Sequence, residues 1–213
     1  MATSLMNIKE ELVVFLRNQD IISIGNRGVT TSQDTGTFSS DSSYTLATNP
    51  TLTKNVRDVT VASVLLEFGT DYTVNYGTGV ISFVSAQTGS YTINYDQGSS
   101  DSIYPDFPQP HLKLVNFPRI AIDIISSSSN EVGIGAGITQ SQYVVSIVCY
   151  DKDQTDVENL VSNSKTAIMS NKKNLYYSNF ITPSNVGPLL VSEFGKNKIF
   201  QRNQDMEVLF NYD

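Results

Sequence analysis

The side chains that most often carry catalysis and metal binding are scarce in this chain of 213 residues, which holds one cysteine and one histidine. Cys149 stands in the apolar run from Val144 to Tyr150, and this favours a buried thiol on a strand. One cysteine excludes an internal disulfide framework, and one cysteine with one histidine cannot build a Cys/His zinc cluster within one chain. A Ser-His-Asp triad would have to use His111, which follows Pro110, but no Gly-x-Ser-x-Gly elbow accompanies it. The sequence therefore predicts neither a metal nor a cofactor.

Carboxylates are the remaining candidates for chemistry, at Asp71, Asp96, Asp151 and Asp153. Paired carboxylates can perform acid–base catalysis or bind calcium. Asp151 and Asp153 have a ligand-like spacing, yet no Asp-x-Asp-x-Asp-Gly loop with a distal Glu follows them. Helix capping and solubility explain these residues better. We therefore predict that the chain is not an enzyme.

Two segments are candidate interfaces. The glycine-bearing run at residues 133–137 is similar to a phosphate-binding loop, but it lacks the lysine and the strand-to-helix context of a P-loop. A flexible hairpin tip that reaches a neighbouring subunit is the favoured interpretation. The aromatic residues at 176–180 could pack against a sheet or anchor a subunit interface, where aromatics are enriched. The candidate interface residues are Gly133, Ile134, Gly135, Tyr176, Tyr177 and Phe180.

The composition limits the partners. The formal net charge is −7, only 16% of residues are charged, and no block of Lys or Arg occurs. Binding nucleic acid requires cations that replace the counterions of phosphate, so we expect no sequence-specific DNA binding, although an acidic wall would let DNA pass without sticking. No apolar stretch approaches the roughly 20 residues that span a bilayer, and the N-terminus lacks a signal-peptide pattern. We expect a protein that does not enter a membrane and is made inside a cell.

Helical periodicity occurs twice. The apolar residues from Leu5 to Leu16 recur at three- and four-residue steps, which predicts a first helix that ends near residues 18–20. Asp153 or Thr155 can cap a second helix, and Thr155 with Glu158 fits the capping-box spacing. The second helix has one apolar face, which comprises Val157, Leu160, Val161, Ser164 and Ile168.

Strand patterns flank the second helix. Residues 117–125 and 142–150 are predicted to pair antiparallel across a polar connection at 126–141. Segments near 189–194 and 206–212 close the chain as strands. Together with the helices, they predict an α+β fold in which a mixed or antiparallel sheet is flanked by two helices.

The middle of the chain has a different character. Residues 30–49 are rich in Ser, Thr and Asp and predict a long loop or a set of short edge strands. Residues 51–97 read as all β, with one strand over 59–66 and turns at 77–79 and 88–89. We therefore predict an inserted all-β domain at residues 21–102, within an α+β domain made of residues 1–20 and 103–213.

The outer parts of the chain resemble the tail terminator, or tail completion, proteins of long-tailed phages and related archaeal viruses. The resemblance rests on Phe117-Pro118-Arg119-Ile120-Ala121-Ile122, the strand into Ile147-Val148-Cys149-Tyr150-Asp151, the helix after it and the alternating C-terminal strand. The middle part is similar to a small β module of phage structural proteins over residues 68–95. That similarity implies that Tyr72 and Phe83 pack a small core and that Gly69 and Gly79 permit tight turns.

The resemblance implies a hexameric ring with a sheet lining the ring and helices outside. Such a ring caps the tail tube, contacts the tail tube protein and the head-completion or stopper protein, and lets DNA pass through its lumen. The expected location is the tail or neck of a virion that is assembled in the host cytoplasm. Two alternatives stay open: another virion component, such as a head-completion, baseplate, decoration or receptor-binding protein, and an enzyme such as a glycan hydrolase. The shortage of histidine and the absence of tryptophan oppose the enzyme.

Overall fold

The structure, a computed structural model, describes residues 5–99, 101–105, 117–131, 139–175, 178, 180–194 and 197–212. The chain divides into two compact units, unit 1 (residues 1–22 and 102–213) and unit 2 (residues 23–101). The described helices are α1 (Leu5–Asn18), α2 (Ile24–Arg27) and α3 (Gln154–Asn171). The described strands are β1 (Thr30–Thr45), β2 (Thr53–Val61), β3 (Val64–Leu65), β4 (Tyr72–Asn75), β5 (Val80–Gln97), β6 (Ile103–Tyr104), β7 (Arg119–Glu131), β8 (Thr139–Asp151), β9 (Ile181–Val186), β10 (Leu190–Phe194) and β11 (Asn197–Tyr212). The fold mixes helices and sheets, as the α+β prediction requires, but it is mostly β.

The two long helices form where the sequence predicts them. In α1, Ile8, Leu12 and Leu16 are fully buried, because their spacing places them on one side of the helix. Helix α3 begins after Asp153, whose carboxylate accepts hydrogen bonds from the backbone amides of Thr155 and Asp156 at 2.7 and 3.3 Å. Asp153 is therefore the cap, and the capping box that starts at Thr155 is not used. The buried face of α3 consists of Val157, Leu160, Val161, Ser164 and Ile168, as predicted.

Unit 1 contains one sheet with the strand order β10-β11-β8-β7-β6, and β9 also pairs with β11. All pairs are antiparallel except the short parallel pair of β6 with β7. The predicted β7–β8 pairing is present, but both strands are longer than expected. Residues 126–131, which the sequence assigned to a polar connection, continue β7 and pair with the first half of β8. A serine-rich strand can persist there because β8 supplies a continuous set of backbone hydrogen bonds.

The helices of unit 1 pack on one face of this sheet. Ile122, Ile147 and Met206 are fully buried in the same cluster as the apolar residues of α1 and α3. Because side chains alternate along a strand, their neighbours Ser146 and Asp205 point to the opposite face. In the described residues, the core of unit 1 therefore lies between two helices and one side of the sheet.

Unit 2 contains a second antiparallel sheet with the order β1-β5-β2-β3, and β4 also pairs with β5. Its core includes Val59, Ile81, Ile93 and Tyr95. Tyr72 and Phe83 lie opposite each other on β4 and β5, and both are buried in this core. Gly69 and Gly79 have φ values of 84° and 67°, which ordinary residues rarely adopt.

Of the two alternatives for residues 30–49, the long loop is wrong, and the set of short edge strands is replaced by one long edge strand, β1. It pairs with β5 along nearly its whole length, but only Asp34 and Phe38 are buried. Since β1 is a sheet edge with most side chains in solvent, its sequence lacks the apolar alternation that identifies a half-buried strand.

Two other details of the middle region differ from the prediction. The expected turn at 88–89 is absent, and β5 runs through Gly89, where an added Cβ would lie 3.2 Å from the Cβ of Ala62. This glycine marks a close approach of β5 to Ala62, which lies between β2 and β3. The expected strand over 59–66 is a hairpin, because Ala62 and Ser63 both have positive φ and join β2 to β3.

Candidate functional site

Five of the six predicted interface residues, Gly133, Ile134, Gly135, Tyr176 and Tyr177, lie outside the described residues. Phe180 is described and stands directly before β9 with 65% of its side chain exposed. Its ring is therefore not part of the core of unit 1.

Phe180 belongs to a group of exposed apolar side chains at the margins of the sheet in unit 1. The large apolar residues that are exposed in the described part of this unit are Ile125, Phe180, Val186, Leu190, Val191 and Leu209. Ile125 lies at a bulge of β7, and the others lie on β9, β10, the adjacent part of β11 or the residue before β9. Exposed apolar groups that gather in this way mark a surface that contacts other molecules.

The backbone at these two margins is open among the residues that the structure describes. Strands β9 and β10 pair with β11 on one side and with no described strand on the other. On the far margin, β6 covers β7 only at Ile120 and Ala121. Open edges present unpaired N–H and C=O groups, and proteins commonly block them with Pro or Lys. Pro183 interrupts β9, but β10 contains neither residue.

The sheet face that points away from the helices is polar around Asp205, whereas Ala121 and Val148 on the same face are buried apolar residues, each 1% exposed. The Asp205 carboxylate accepts hydrogen bonds from the Ser146 hydroxyl at 2.7 Å and from the Asn203 amide at 2.8 Å. Asp123 does not add to this charge, because its carboxylate lies 2.6 Å from the Lys9 ammonium of α1. An ordered carboxylate such as Asp205 gives this part of the face a negative potential that repels phosphate.

Unit 2 contains a buried ionic cluster that the sequence did not predict. The Arg27 guanidinium contacts both carboxylate oxygens of Asp101, at 3.1 and 2.7 Å, and the Asp96 carboxylate at 3.0 Å. Asp96 also accepts hydrogen bonds from Arg57 at 2.7 Å and from Thr31 at 3.0 Å. Burial lowers the pKa of Arg27, but its contacts with Asp101 and Asp96 raise the pKa by more. Because the charges balance and are hydrogen-bonded, this cluster stabilises structure and leaves no free group for chemistry.

Of the described residues that the sequence offered for chemistry, Asp151 and Asp153 lie close enough for their charges to interact, but no group of three that could hold a metal ion forms. Burial raises the pKa of the Cys149 thiol to about 12, so the thiol is inert at neutral pH. Asp153 caps α3, and Asp71 accepts a hydrogen bond from the Glu67 amide in a turn. Burial also raises the pKa of Asp151. His111 lies outside the described residues.

The described residues lack a metal-binding group and a membrane-spanning helix. They contain no group of three or more His, Cys, Asp or Glu side chains arranged to hold a metal ion. None of their helices has the length and apolar character needed to cross a membrane.

Comparison of the sequence with protein-family models and with curated proteins finds no match. The margins of the sheet in unit 1, with the polar face between them, are thus the site that the structure itself offers. The sequence signal for this site was the apolar run Leu189-Leu190-Val191 after Pro188, which predicts a strand but does not tell whether the strand is an edge.

Proposed function

We propose that this chain is a structural virion protein that caps a tail tube as a ring, with six copies as the expected number. The observation that carries the proposal is the pair of sheet margins in unit 1 that no described strand covers, with Ile125 exposed at one margin and Phe180, Leu190 and Val191 exposed at the other. When one margin of each subunit binds the other margin of the next subunit, the copies form a closed ring if the rotations between neighbours add up to a full turn. The resemblance of residues 1–20 and 103–213 to tail terminators indicates the position of the ring in the virion.

The polar sheet face fits the lumen of such a ring. Both helices pack on the other face, so an arrangement with helices outside and sheet inside turns Asp205 and Glu207 toward the passage. Carboxylates in the wall would keep DNA phosphates from binding while DNA moves through. The ring then acts by shape and charge, without a catalytic step, at the junction between the tail tube protein and the head-completion or stopper protein.

We also propose that unit 2 is an all-β domain inserted into the ring-forming unit. Its own core, which includes Tyr72, Ile81 and Ile93, does not share residues with the core of unit 1. Seven of the 21 acidic residues and three of the 14 basic residues of the chain belong to unit 2, so its net charge is −4. An acidic, polar module is suited to a position at the exterior of a particle, where it maintains solubility.

The decisive test is the mass of the purified protein, measured alone and after mixing with tail tubes. The proposal predicts a ring of about six copies, alone or on tube ends, and an end to tube growth when the protein is added. A variant with Asp205→Lys and Glu207→Lys should still form the ring but retain DNA during passage. A stable trimer, or a monomer that binds glycans and leaves tube growth unchanged, would contradict the proposal and favour another virion station.

A further inference from the structure

The strand order of unit 1 determines how a second copy could extend its sheet. β10, β11, β8 and β7 are antiparallel to one another in turn, so β10 and β7 run in opposite directions. In a ring whose axis runs roughly along the strands, the β7 strand of the next copy keeps the direction of β7. It would therefore meet β10 antiparallel, and the alternation of strand directions would continue from copy to copy.

The two margins also match in chemistry. Ile125 is 52% exposed at the bulge of β7, while Leu190 and Val191 on β10 are 51% and 52% exposed. An apolar contact between them removes from water the exposed aliphatic groups of both margins. The segment 126–129 of β7 is all serine. If Ile125 lies opposite Val191, Asp123 lies opposite Glu193, but Asp123 has Lys9 at 2.6 Å and Glu193 has Lys198 at 3.8 Å, so each carboxylate has a cation partner.

A two-fold contact fits these observations less well. If β10 paired with β10 of a second copy, Ile125 would stay exposed in the dimer, and no described strand would cover the backbone of β7 beyond Ala121. A pairing of β7 with β7 would leave Leu190, Val191 and Phe180 exposed instead. Only a head-to-tail contact covers both margins in every copy.

We infer that the β9–β10 margin of one copy pairs antiparallel with the open edge of β7 in the next copy, so that the sheets of neighbouring subunits join. The partner at each margin is thus a second copy of this chain. This inference rests on the proposed ring, and it adds which surfaces form the subunit contact.

The test uses one blocking substitution on each margin of the full-length protein. Val191→Lys places a charge on the β10 margin, and Ile125→Lys places one on the β7 margin. The matched control is Val84→Lys, because Val84 is 71% exposed on β5 of unit 2. All three positions are more than half exposed, so the variants should fold, which circular dichroism will verify. Mass photometry then measures the fraction of ring for each protein, alone and on tail-tube ends.

Each margin variant should show a fraction of ring at least about tenfold lower than the wild type, and the control should match the wild type. An equal mixture of the two margin variants should yield a dimer and no larger species, because only one intact β10 margin and one intact β7 margin remain to pair. This outcome is specific to a head-to-tail contact.

Three results would contradict the inference, and each identifies a different error. Wild-type rings with undiminished assembly of both margin variants would overturn the contact and leave the ring intact. A dimer formed by one margin variant alone would show a two-fold contact and overturn the head-to-tail arrangement. A wild type that stays monomeric alone and on tube ends would overturn the ring, and the contact with it.

Discussion

Removing the Arg27 side chain tests the account of the buried ionic cluster in unit 2. In Arg27→Met, the alkyl volume is kept while Asp101 loses both of its contacts with the guanidinium. Asp96 keeps Arg57 and Thr31 but loses its most buried partner. The Arg27, Asp96 and Asp101 side chains are at most 2% exposed, so water cannot replace the lost contacts without rearrangement.

The expected cost follows from this burial. Breaking a buried ion pair by removing one partner costs roughly 3–5 kcal/mol, because a charge is left without compensation. At about 0.05–0.15 kcal/mol per residue, a unit the size of residues 23–101 has roughly 4–12 kcal/mol of total stability. Arg27→Met should therefore remove a large share of the stability of unit 2.

Hydrogen exchange under increasing urea measures this effect where it is expected, in the amides that join β1 to β5. Arg57→Met is the matched control, since Arg57 makes one of these contacts and its side chain is 17% exposed. Its loss should cost roughly 1–2 kcal/mol. If Arg27→Met changes the protection of β1 and β5 by no more than the control does, the cluster does not stabilise unit 2 and the reasoning from burial is wrong.

Two further predictions concern a close backbone contact and a buried thiol. Gly79→Ala should cost about 2–4 kcal/mol, because φ is 67° and the new Cβ would lie 2.5 Å from the Pro50 carbonyl oxygen. Gly69 has φ at 84° and no atom within 4 Å of the new Cβ, so Gly69→Ala should cost only about 1 kcal/mol. If urea denaturation gives the two variants the same loss of stability, the contact with Pro50 is not the cause of the larger cost. Burial raises the pKa of Cys149 from 9.0 to about 12, because the folded state favours the protonated thiol. The stability that the buried, protonated thiol provides is complete below pH 9 and is lost as the pH rises toward 12. At pH 10 the loss is about 1.4 kcal/mol, and Cys149→Val should lack this part of the alkaline decline; identical pH profiles of the two proteins would refute it.

The elements that bury one face were predictable from the sequence. The five buried positions of α3, from Val157 to Ile168, follow from helical spacing, because a helix that packs on a sheet must repeat its apolar residues every three or four positions. The pairing of β7 with β8 followed from two apolar strands with a polar connection. Local pattern and tertiary packing agree in these elements, and the pattern therefore predicts the structure.

The elements at the edges were less predictable, and for residues 30–49 the sequence left a long loop and short edge strands as equal alternatives. β1 is held by backbone hydrogen bonds to β5, and such bonds leave no trace in the side-chain pattern. The same holds for the candidate site: Leu190 and Val191 read as an ordinary apolar strand, and only the strand order reveals that β10 is an edge. In the ionic cluster, Asp96 and Asp101 follow Arg27 by 69 and 74 positions in the sequence, so no local spacing could have indicated the cluster.

In each unit, the two segments at the boundary between the units are hydrogen-bonded to each other, and this agrees with the proposed insertion of unit 2. Within unit 1, the Arg17 guanidinium donates a hydrogen bond at 2.6 Å to the carbonyl oxygen of Ile103, so the end of α1 and the start of β6 are adjacent. Within unit 2, Arg27 near its first residue holds Asp101 at its last. A domain can be inserted into another without unfolding it when both have their junction residues close together. Unit 1 would keep its sheet and both margins if unit 2 were replaced by a short turn, and the ring contact that we infer involves only residues of unit 1.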